Sequence, residues 1–142
     1  MENDRKRPHF LTTMAILFAV LALSDLTKAW QVTQNDVGGI VVFGVRFREV
    51  LPNIIFGGLL AIVLLAYARG LWTMQRWVLN LAIVYAFWVP VNLVLFWHRE
   101  IGQPKMGIVG LLAYLFVALG GSIGTAIYLC RHQHLLSPPA ER

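Results

Sequence analysis

The chain has 142 residues, of which 58% are hydrophobic and 13% charged, with a net charge of +5. The charged share is roughly half the 25% or so of soluble domains, and a domain this small has too much surface for its volume to hide that much apolar side chain from water, so an ordinary soluble domain is excluded. The basic residues flank apolar runs instead of clustering on one face, which excludes a nucleic-acid footprint. The single cysteine, Cys130, excludes an intrachain disulfide and thiol-pair redox chemistry.

Residues 1–9 form a polar, cytoplasmic N-terminal segment with Arg5, Lys6 and Arg7, followed by an apolar run over residues 10–30 that contains Ser24, Asp25, Thr27 and Lys28 near its end. Ala22-Leu23-Ser24 has the small-x-small form of a signal-peptide cleavage site. The run is nevertheless read as a retained helix 1, with Lys28 snorkelling and Trp30 at the interface. Three further runs, 51–68, 78–97 and 106–130, carry no Asp, Glu, Lys or Arg. Each approaches the roughly 20 residues needed to cross a hydrocarbon core of about 30 Å. Backbone in lipid must satisfy its own hydrogen bonds, so such runs are predicted to be helices. The expected fold is an all-α membrane protein, a four-transmembrane-helix bundle over 10–130, with residues 131–142 as an unstructured cytoplasmic tail.

The N-terminus is placed inside by its basic cluster, although the basic residues divide only seven to five between the two sides. The C-terminus then also lies inside, and the expected location is a bacterial inner membrane. Trp30, Trp72, Trp77 and Trp97 fall at predicted helix ends, as an interfacial belt requires. The segment 31–50 is expected to lie outside. Asn35-Asp36-Val37-Gly38-Gly39 is turn chemistry, and Val41, Phe43, Val45 and Phe47 then alternate with Val42, Gly44, Arg46 and Arg48. Period two with β-branched and aromatic residues predicts a strand, with Trp30–Gln34 pairing back as its partner in a short extracytoplasmic β-hairpin.

Three groups of residues are candidates for function. Helix 4 carries Gly120, Gly121, Gly124 and Thr125 at small-xxx-small spacing, and Gly57, Gly58 and Ala61 on helix 2 offer a matching flat surface. Where lipid removes the hydrophobic drive between helices, close approach through small residues supplies dispersion. Tyr85, Trp88 and Asn92 share one face of helix 3 near Pro90, which removes a helical donor, so they are a candidate polar pocket. Asp25, Lys28, Arg46, Arg48, His98 and Glu100 collect at the outer rim, with Asp25 paired to Arg46 or Arg48 as the first choice of site, because an ionisable group in a span is a functional hypothesis by default. Cys130, His132 and His134 match no strong metal signature; no metal, cofactor or catalytic residue is assigned. P-loop, G-x-S-x-G and H-E-x-x-H patterns are absent from the sequence. The preferred expectation is a non-enzymatic accessory or interaction protein whose partners are the bilayer and a second copy or a larger membrane complex. An oligomeric solute or ion transporter is the alternative, and a lipid- or quinone-linked enzyme the second.

Overall fold

The computed structural model describes residues 8–34, 39–100 and 108–136. Among these, α1 (His9–Leu26) is followed by α2 (Lys28–Gln34), strands β1 (Val41–Val42) and β2 (Val45–Arg46), and helices α3 (Val50–Trp72), α4 (Trp77–Glu100) and α5 (Ile108–Arg131), with a last 3₁₀ turn at Gln133–Leu135. The protein is all-α with one small antiparallel sheet, in which Val41 pairs with Arg46 and Val42 with Val45. Three helices, α1, α3 and Trp77–Arg99 of α4, are long and apolar enough to cross a membrane, and a shorter apolar stretch covers Leu115–Arg131.

The core follows from helical spacing. Leu11, Ala15, Phe18 and Ala22 line one face of α1 and are buried against the stripe Ala61, Leu64, Tyr67, Ala68 and Leu71 of α3. Small residues bring the two helices together: a Cβ on Gly57 would lie 2.8 Å from the carbonyl oxygen of Asp25, so only glycine permits this crossing. α5 lies along α4 and contributes Ala126 and Leu129 to the same core. Phe10 packs on Tyr128 with ring centroids 4.5 Å apart, which sets the start of α1 and the end of α5 at one end of the molecule. At mid-height Phe18, Tyr67 and Tyr85 join α1, α3 and α4 through ring contacts of 4.3 to 5.8 Å. Most of the remaining helical surface is apolar and faces outward; Phe87 is 76% and Phe116 81% exposed.

Several expectations need correction. Helix 1 does not run unbroken to Trp30. It loosens at Thr27, whose hydroxyl bonds the carbonyl of Ser24 (2.8 Å) and accepts from Gln31 Nε2 (2.9 Å), a side-chain competition that disturbs helical backbone. Trp30–Gln34 is helical, inside α2, and is not the partner strand. The hairpin instead folds within 41–46, because Phe43 and Gly44 both take positive φ, 49° and 74°. That pair of left-handed residues makes the two-residue turn whose twist matches antiparallel strands. Residues 35–38 of the expected turn lie outside the described residues. Pro90 is accommodated inside α4, which runs through it. The tail begins in order: Leu136 is buried in the core, and only 137–142 lie outside the described residues.

Candidate functional site

The hairpin is the feature around which the polar side chains gather. Asn53, one turn into α3 and 1% exposed, accepts from the backbone N–H of Ile40 (2.6 Å) and donates through Nδ2 to the carbonyls of Phe47 (2.8 Å) and Glu49 (2.7 Å). Asn92 of α4 grips the other side, accepting from Gly44 N–H (2.9 Å) and donating to the carbonyl of Val41 (3.1 Å). A two-stranded ribbon this short is not stable alone; two asparagines, each supplying both a donor and an acceptor, hold it onto α3 and α4. Gly44 lies so close to α4 that a Cβ there would meet the carbonyl carbon of Leu95 at 2.5 Å. Phe43 sets its ring edge-on to Trp88, with centroids 6.4 Å apart, and Phe47 stacks on Phe56 at 5.1 Å.

The three residues read as a polar pocket are therefore divided among different tasks. Asn92 is a hairpin clamp, Tyr85 belongs to the central aromatic cluster, and Trp88 bridges from Tyr85 (6.2 Å) toward Phe43. What lies beside them is an apolar cleft of about 260 Å³ between α3 and α4. Replacing Asn92 by Leu removes two hydrogen bonds and leaves the turn amide of Gly44 without its acceptor. The expected result is a loss of about 1–3 kcal/mol with hydrogen exchange accelerated over 41–46, read by mass spectrometry in detergent.

At the rim, Asp25 and Lys28 are half-buried. Lys28 turns to the Gln31 side chain (3.5 Å), and the Asp25 carbonyl marks the Gly57 crossing. Among the described residues, no ion pair joins Asp25 to Arg46 or Arg48. Arg46 lies instead over the ring of Phe96, 5.0 Å from its centroid. Arg48, His98 and Arg99 are exposed; the side chain of Glu100 lies outside the described residues.

The small residues also separate. Gly57 packs on α1 at the Asp25 carbonyl, and Ala61 is buried in the core. Ser122 and Thr125 are buried in α5, where their hydroxyls bond the carbonyls of Ala118 (2.6 Å) and Gly121 (2.5 Å). A Cβ on Gly121 would touch Leu17 at 3.8 Å, whereas one on Gly58, Gly120 or Gly124 would meet nothing within 4 Å. Gly120 and Gly124 thus face open space.

His132 stacks on Tyr128 (4.3 Å), with Nδ1 3.0 Å from the Tyr128 carbonyl oxygen, and Cys130 is exposed. Among the described residues, no three His, Cys, Asp or Glu side chains converge as a metal site.

Two structural residues escaped the sequence reading. Asn53 belongs to no sequence motif and is set apart only by its place near the start of α3. Tyr67 is fully buried, and its hydroxyl has no hydrogen-bond partner among the described residues. Since an unsatisfied buried hydroxyl is a cost, Tyr67→Phe is expected to hold or raise stability by about 1 kcal/mol in detergent unfolding.

Comparison with protein-family models, with curated proteins and with solved structures finds no match.

Proposed function

We propose that this chain is a small integral membrane protein of a bacterial inner membrane, a four-helix bundle with both termini cytoplasmic and the hairpin outside. In this reading it is a non-enzymatic accessory protein that binds other membrane components through its outward helical faces. The observation that carries the reading is how polar and small residues are allotted. Asn53, Asn92, Ser122 and Thr125 direct their hydrogen bonds to the protein's own backbone, while the outward surface is apolar and includes the unfilled Gly120 and Gly124 face of α5. Small residues of that kind let a second helix approach closely in lipid. Transport past Asn92 is the weaker reading, since that amide is already engaged by the hairpin.

The test is native mass spectrometry of protein extracted in mild detergent. The wild-type chain is expected to carry an unlike membrane chain or a second copy, and the double substitution Gly120→Leu, Gly124→Leu is expected to lose it. The fold should survive, because neither added side chain starts against a neighbour. A chain that remains single in both forms, or that stays in the aqueous supernatant without detergent, overturns the proposal.

A further inference from the structure

The cleft between α3 and α4 has a distinct origin and a distinct chemistry. At the turn end the two helices touch: a Cβ on Gly70 would lie 2.9 Å from the Trp77 and Val78 side chains, and Tyr67 meets Tyr85 next along. Beyond that contact the cleft opens, lined by Phe56 and Val63 of α3, by Val84, Tyr85 and Trp88 of α4, and by Val42 of the hairpin. Its walls are aliphatic and aromatic, and it is open along the flank, where Leu59 is 56% and Val84 64% exposed. At about 260 Å³ it falls below the roughly 300–1,000 Å³ of sites that enclose a whole ligand, so it suits one hydrocarbon chain and leaves the rest of the molecule outside.

The hairpin end supplies the complementary charge. Among the described side chains there, Lys28, Arg46, Arg48 and Arg99 outnumber Asp25 and Glu49. Arg48 is exposed and directly follows Phe47, which stacks on the cleft wall at Phe56. Arginine suits a phosphate by its fork of donors.

We infer that the cleft holds one acyl chain of an anionic phospholipid, with the phosphate at the hairpin end beside Arg48. This rests on the membrane reading above, and the experiment separates the two. Trp88 lines the cleft and is the reporter. A protein keeping Trp88, with Trp30, Trp72, Trp77 and Trp97 replaced by Phe, is placed in phosphatidylcholine vesicles with a minor fraction of chain-brominated phosphatidylglycerol. The expected result is quenching of Trp88 with an apparent preference of about fivefold over brominated phosphatidylcholine, the selectivity one arginine confers near a headgroup plane. Arg48→Gln is expected to bring the preference close to unity. Val63→Phe, or Val84→Phe at the rim if the first variant fails to fold, is expected to abolish it by filling the cleft.

A companion protein keeping only Trp97, which is 54% exposed, is expected to be quenched equally by both lipids. Equal quenching of Trp88 by the two lipids overturns the inference while the membrane reading stands. Insensitivity to both the arginine and the cleft variants does the same, as does stronger quenching by a brominated free fatty acid. No quenching of either tryptophan overturns the membrane reading itself.

Discussion

Asn53→Ala is expected to destabilise the protein by about 3 kcal/mol or more and to release the hairpin from α3. Three hydrogen bonds vanish together, each worth about 1 kcal/mol net, and the N–H of Ile40 is left buried without an acceptor. Ile40 is itself only 3% exposed, so water cannot readily replace the lost amide oxygen. Asn53→Asp is the sharper variant. It is nearly isosteric and keeps an acceptor for Ile40, but it sets a carboxylate oxygen against the carbonyls of Phe47 and Glu49, where the amide donated. At neutral pH it is expected to be no better than Ala. The measurement is unfolding in mixed micelles at rising denaturing-detergent fraction, with amide exchange over 39–48 as the local readout. Asn53→Asp at wild-type stability would show that these bonds do not anchor the hairpin.

The second large effect is expected at Gly44. Gly44→Ala pushes a methyl into backbone, with the Leu95 carbonyl carbon at 2.5 Å and the Phe96 nitrogen at 2.7 Å, so no side-chain rotation relieves it. The residue also sits at φ 74°, a conformation that costs an L-residue roughly 1–2 kcal/mol. With overpacking at about 1–3 kcal/mol, the total loss is expected to be about 2–5 kcal/mol. The hairpin must lift from α4, which breaks the Asn92 bond to the Gly44 amide. Gly44→Ala and Asn92→Leu are therefore expected to be strongly non-additive, with a coupling of about 0.5–3 kcal/mol. Gly58→Ala is the control: open space surrounds that position, and alanine is the better helix former by about 1 kcal/mol, so this variant is expected to hold or gain stability. Matching losses at both glycines would refute the close-approach explanation.

The hairpin shows where local patterning stops being sufficient. Alternation from Val41 to Phe47 correctly marked β structure, yet the same alternation conceals a turn, because Phe43 carries no local preference for positive φ. Its conformation is imposed from outside: Trp88 meets its ring, Asn92 holds both ends of the turn, and the next residue is a glycine pressed on α4. Trp30–Gln34 contains Val32 and Thr33, which suit a strand, but the segment follows α1 with only Thr27 between, and backbone bonds such as Gln31 N–H to the Thr27 carbonyl continue the helix. The small residues show the same limit. Spacing identified Gly57 and Gly120 as points of close approach and matched helix 2 to helix 4, whereas Gly57 meets α1 and Gly120 meets no neighbour within 4 Å.

The order of residues along the chain was enough to determine the long helices and the apolar character of their surfaces, because run length and periodicity are properties of neighbours in sequence. It was also enough to mark the patch of β structure between the first and second long helices. Only the tertiary structure decided that Gly57 receives α1, that Gly120 and Gly124 stay open, and that Asn53 and Asn92 hold a hairpin instead of lining a polar pocket. An amide's partner or a glycine's neighbour is set by residues remote along the chain, such as Asn92 and Gly44, which are brought within 2.9 Å by helix packing, and no local pattern encodes that meeting.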